Sequence, residues 1–78
     1  MTVRIAITGA AGRMGRMLAE AIAGSDAAAK LTAAIERPES TRLGADMGEL
    51  LGGAASGVVI STDLAAVADP VEVLIDCT

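Results

Sequence analysis

The sequence predicts an α/β fold, a partial parallel sheet of about four strands joined by helical crossovers. Three observations predict it. Short, apolar, β-branched runs recur at residues 3–8, 31–36, 58–60 and 71–78. Helix-like stretches separate the first run from the second and the third from the fourth. The runs are too continuously apolar for a sheet with one wet face, which places them between two covered faces. Alternating units of this kind give parallel strands and right-handed crossovers.

Each element has its own reason. "VRIAIT", residues 3–8, is apolar apart from Arg4 and reads as a buried strand. From Gly12 to Ala23, the residues Met14, Met17, Leu18, Ala21 and Ile22 recur at spacings of three and four, which predicts one apolar helix face. Arg13, Arg16 and Glu20 fall on the other side, and Gly24 is a helix stop. "LTAAIE", residues 31–36, is the second strand. Residues 37–57 read as a loop with one helical turn near Met47–Leu51 and a flexible stretch from Gly52 to Gly57. "VVI", residues 58–60, is the third strand. "STDLAAVAD" offers Ser, Thr and Asp caps for a short helix ended by Pro70. "VEVLIDCT", residues 71–78, is the fourth strand, with Glu72 exposed at its start.

Composition bounds the function. Seventy-eight residues make one small domain, and without Phe, Tyr or Trp its core is thin. That points to a part of something larger. Six cationic against ten acidic side chains, net charge −4, argue against a nucleic-acid or membrane-surface partner. One cysteine, Cys77, makes no intrachain disulfide and fits a reducing compartment. No leader pattern and no long apolar run is present, so the expectation is a cytoplasmic protein. No histidine occurs, and no set of residues reads as catalytic or metal-ligating.

The chemistry concentrates where the first strand meets the first helix. Gly9, Gly12 and Gly15 stand three residues apart. At such a corner the first glycine allows the tight turn, the second lets backbone approach a pyrophosphate, and the third lets the helix pack closely on the strand. The helix N-terminus then aims free N–H groups and its positive dipole end at the phosphates. The context, a buried strand before and an amphipathic helix after, marks a Rossmann-type sheet and strengthens a pattern that is weak alone. Glu36 lies 21 residues past Gly15, at the end of the second strand. An acid there accepts hydrogen bonds from the adenine ribose of NADH, and the adjacent Arg37 can reach the 2′-phosphate of NADPH. Having both predicts tolerance of either cofactor. Arg13 at the helix start opposes the dipole, which a role at the phosphates or against the adenine plane explains.

"ITGAAGRMGR", "LTAAIER" and "VLIDCT" together resemble the N-terminal dinucleotide-binding domain of the 4-hydroxy-tetrahydrodipicolinate (dihydrodipicolinate) reductases of diaminopimelate and lysine biosynthesis. "LGADMGELLG" resembles that family's loop after the second strand, so the likeness spans nearly the whole chain. The resemblance implies an NADH- or NADPH-dependent oxidoreductase acting on a cyclic dicarboxylate. It implies phosphates on the loop Gly9, Ala10, Ala11, Gly12, Arg13 and Met14, the ribose on Glu36 and the 2′-phosphate on Arg37. It also implies that Cys77 and Thr78 border the nicotinamide side. The family often carries an aromatic residue where Cys77 stands. It continues into a second domain that holds the catalytic and substrate-binding groups and makes the full-length enzyme a homo-oligomer. Residues 1–78 are then expected to be an incomplete N-terminal domain, inactive alone.

Two other readings share the glycine pattern. An extended short-chain dehydrogenase or epimerase begins similarly but needs a Tyr-x-x-x-Lys pair further on. A non-catalytic dinucleotide-sensing module fits the short chain literally.

Overall fold

A computed structural model describes residues 2–25, 28–64 and 71–78. The elements in chain order are β1 (Val3–Thr8), α1 (Arg13–Ala23), β2 (Ala29–Ile35), α2 (Met47–Leu50), β3 (Ile60–Ser61) and β4 (Val73–Asp76). All four strands are parallel, in the order β3-β2-β1-β4. This is the first half of a doubly wound sheet with one strand beyond the reversal of strand order, as the sequence predicts. The helix expected within 61–69 lies largely outside the described residues, which omit 65–70.

The sheet is covered on both faces at its centre. Successive strand side chains point to opposite faces. Ile5 and Ile7 of β1 and Ala34 of β2 join Ala19 and Ile22 of α1, Met47 and Ile60 in one buried cluster. Ala6, Ala33 and Ile35 form a second cluster, against which Leu64 and Val71 pack. Ile7, Met47 and Ile60 are the largest fully buried side chains, so aliphatic groups do the filling that aromatic rings do elsewhere.

Three sequence expectations need correction. The buried stripe of α1 is Gly15, Ala19 and Ile22, with Leu18 half-buried, whereas Met14 and Met17 are each 63% exposed and Ala21 is exposed. The helix sits so close to the strands that its small residues make the contact, and the long methionines are turned outward. Second, β4 is shorter than expected, and Val73 and Leu74 remain exposed.

Third, the stretch before β3 is pinned. Asp46 caps α2 by accepting from the Glu49 N–H at 3.1 Å. The same carboxylate accepts from the Ser56 N–H and the Gly57 N–H, each at 2.8 Å. Backbone bonds from Met47 N–H to the Val58 carbonyl and from Ile60 N–H to the Ala45 carbonyl close the connection onto β3.

Candidate functional site

β1 ends at Thr8, and the chain turns at Gly9 with φ +69°. A side chain there would be strained, and a Cβ would stand 2.9 Å from the Cys77 carbonyl oxygen at the exit of β4. Gly9 therefore lies in the crevice between the ends of β1 and β4. A Cβ at Gly15 would run into the Gly9 carbonyl oxygen and come within 2.7 Å of the Ala10 Cα, so only glycine lets α1 approach the turn. Gly12 is extended and exposed, and a Cβ there would meet only the Gly9 oxygen at 3.3 Å. The space in front of it is open.

Gly12 caps α1 without any side-chain hydrogen bond, and the first turn holds no acid. The first N–H groups of a helix have no partner within it. The Gly12 N–H is already spent on the Gly9 carbonyl at 3.1 Å, which leaves the Arg13 and Met14 amides and the dipole at an exposed helix start. The arrangement suits an anion approached by backbone.

The turn is fastened to β2 by two bonds. The Ala10 N–H donates to the Ile35 carbonyl at 3.2 Å, and the Ala11 N–H donates to Glu36 Oε2 at 2.8 Å. Ala10 is fully buried, so it supports the loop from beneath. Glu36 is half-buried, its second oxygen faces the Arg37 N–H at 3.4 Å, and the Arg37 side chain stands exposed on the rim.

On the opposite flank of β1, one oxygen gathers three donors. Asp76 Oδ1 accepts from the Thr8 hydroxyl at 2.8 Å, the Thr78 N–H at 3.0 Å and the Thr78 hydroxyl at 2.6 Å. These bonds, the Thr78 hydroxyl first, hold the Asp76 carboxyl below its ordinary value. The Cys77 N–H donates to the Thr8 carbonyl at 3.0 Å, which extends the β1–β4 ladder to the crevice. Cys77 itself is half-buried and free.

The structure thus gathers Gly9, Ala11, Gly12, Arg13, Met14, Glu36 and Arg37 around one corner and sets Thr78 across Gly9 from it. A cavity of about 430 Å³ lies elsewhere, between α1, β2 and α2. Its walls include Ala19, Ile22, Leu31, Met47 and Val58 and none of these site residues.

Residues 3–78 match the family described as dihydrodipicolinate reductase, N-terminus. The chain belongs to that family. It is 54% identical over all 78 residues to the 4-hydroxy-tetrahydrodipicolinate reductase of Alkalilimnicola ehrlichii, and it spans 29% of that relative's length. The family match over residues 3–78 and the name of this relative favour this reading over a short-chain dehydrogenase or epimerase.

Sequence reasoning missed Thr8 and Asp76. The signal was present as two polar residues ending two otherwise apolar strands, in "AIT" and "LID". Only the parallel register, Thr8 opposite Asp76, shows that they meet.

Proposed function

We propose that residues 1–78 form the dinucleotide-binding part of a longer reductase that uses NADH or NADPH. The observation that carries this reading is the 2.8 Å bond from the Ala11 N–H to Glu36. It supports the reading because the acid proposed for the ribose and the turn proposed for the phosphates then lie within one hydrogen bond of each other. The residues fit the cofactor on three counts: an uncapped helix N-terminus, open space at Gly12, and an acid followed by a cation at the end of β2.

In this reading the pyrophosphate approaches over Gly12 and is bound by the amides at Arg13 and Met14, and Gly9 and Gly15 give the turn its shape. Glu36 accepts from the ribose hydroxyls, and Arg37 pairs with a 2′-phosphate when one is present. Ala10 and Ala11 carry the loop between these groups, and Thr78 lies on the nicotinamide side. When bound, the nicotinamide supplies the hydride; the chain contributes position and electrostatics. The whole protein then reduces a cyclic dicarboxylate with groups that lie beyond these residues, and it assembles as a homo-oligomer.

Calorimetric titration with NADPH, NADH, AMP and 2′-phospho-AMP tests the reading. Gly12→Val places a branched side chain where the pyrophosphate must approach, and is expected to abolish binding of both dinucleotides while circular dichroism stays unchanged. Arg37→Ala is expected to weaken NADPH about 10- to 150-fold and to leave NADH unaltered, since one charge-assisted contact is worth about 1.5–3 kcal/mol. Unchanged NADPH affinity in both variants would place the dinucleotide elsewhere.

A further inference from the structure

The polar corner where β1 and β4 end has a fixed hydrogen-bond polarity. Two hydroxyls, Thr8 Oγ1 and Thr78 Oγ1, both donate to the same oxygen, Asp76 Oδ1. A hydroxyl has one proton. With both protons committed to the carboxylate, each threonine oxygen presents only lone pairs to a neighbour. The Thr78 N–H is also spent on Asp76. The corner therefore offers acceptors and no side-chain donor from these three residues. The depressed Asp76 pKa agrees, because a carboxylate that stays ionised keeps accepting.

The place of this corner matters. In the order β3-β2-β1-β4, Glu36 and Arg37 follow β2 on one side of β1, and Asp76 and Thr78 follow β4 on the other. A dinucleotide crossing the end of β1 with its adenosine at Glu36 puts its other half at this corner. That step rests on the binding site proposed above. The donor-only group on that half is the carboxamide NH₂. A ribose hydroxyl can donate or accept, so it has no need of a polarised partner. An amide NH₂ can only donate, and a committed acceptor recognises it.

We propose that Asp76 is a positioning residue that locks the Thr78 hydroxyl as an acceptor for the carboxamide NH₂ of the nicotinamide ring. Asp76 makes no contact with the cofactor in this scheme. It acts by holding a proton on the far side of the Thr78 oxygen.

The test compares NADPH with its reduced 3-acetylpyridine analogue, in which a methyl group replaces the NH₂, by calorimetry on the 78-residue chain. Adenosine 2′,5′-bisphosphate, which lacks the nicotinamide half, reports the rest of the site. The unsubstituted chain is expected to bind NADPH about fivefold more tightly than the analogue, the worth of one hydrogen bond. Asp76→Ala frees both threonine protons, so the preference is expected to collapse towards one while the bisphosphate binds as before. Asp76→Asn keeps a carbonyl acceptor in place and is expected to restore most of the preference. Thr78→Val removes the hydroxyl from a corner Asp76 still holds, and is expected to lose the preference too.

Equal binding of the two dinucleotides by the unsubstituted chain overturns the inference, as does a preference that survives Asp76→Ala. Either result with normal bisphosphate binding leaves the proposed dinucleotide site standing. Failure of all three ligands to bind the folded chain removes that site and the inference with it.

Discussion

The two flanks of β1 are built differently. On one side β2 pairs along the whole strand, from Val3 with Ala29 to Thr8 with Ile35, and the residues between are largely buried and apolar. On the other side β4 pairs only with Ile5–Thr8, and its Val73 and Leu74 are 42% and 51% exposed. That flank is fastened at its ends by polar groups. The Arg4 N–H donates to Glu72 at 3.2 Å below, and Thr8 and Thr78 donate to Asp76 above. One flank is held by burial along its length, the other by polar groups at its ends. The same strand should therefore lose its two neighbours under different conditions.

The largest effects belong to the buried flank. Gly15→Val drives a branched side chain into the backbone of Gly9 and Ala10, which cannot yield as a side chain would. It is expected to cost about 3 kcal/mol. In so small a domain that is expected to abolish the cooperative unfolding transition seen by circular dichroism. Ile7→Ala is of comparable size. Ile7 is fully buried, and truncation leaves a cavity, for an expected loss of about 2–5 kcal/mol in urea denaturation. Leu74→Ala on the β4 flank is the matched control and is expected to change stability by less than about 0.5 kcal/mol. A loss at Leu74 equal to that at Ile7 would end the contrast.

The buried flank was also the legible one. The glycine spacing and the position of Glu36 are local signals, and the structure joins them through the Ala11 N–H. The face of α1 was misread for a physical reason. Apolar periodicity weights large residues, and Met14, Met17 and Ala21 complete a plausible stripe. The stripe that packs is Gly15, Ala19 and Ile22, because close approach selects for lack of bulk. The polar fastenings left only single polar residues in the sequence, with no sign of their partners. Asp46 gathers amides ten and eleven residues away, and Asp76 meets a threonine 68 residues earlier. Nothing in the spacing of a sequence encodes such pairs before the register is known.

Acid should separate the flanks. Asp76 is depressed in the folded chain, so its contribution is complete above the ordinary value of 3.8 and is lost as the pH falls through its lower folded value. Asp46 behaves alike. Its carboxyl is held at about 2, chiefly by the Ser56 N–H, so the connection it pins loosens as the pH falls from 3.8 towards that value. In an NMR titration between about pH 5 and pH 2, the amides of Thr78, Ser56 and Gly57 are expected to shift first. Those of Ala34 and Ile35, buried in β2, are expected to hold. Simultaneous loss of all five would mean that the sheet unfolds as one unit and that the carboxylates fasten nothing locally.

The smallest effect sharpens the comparison most. Arg4 and Glu72 form an ion pair at 3.6 Å with side chains 45% and 44% exposed. Water screens such a pair, and Glu72→Gln is expected to cost about 0–1 kcal/mol, fading at about 1 M salt. The Glu72 carboxylate does a second job, however. It accepts from the Arg4 N–H, while its own N–H donates to the Arg4 carbonyl at 2.9 Å. Glutamine keeps a carbonyl that can accept the first of these bonds, and alanine does not. If β4 is held at its start by the ladder, Glu72→Gln leaves hydrogen exchange at Arg4 unchanged and Glu72→Ala raises it. If charge holds it, both variants raise exchange equally, and high salt does the same to the unsubstituted chain.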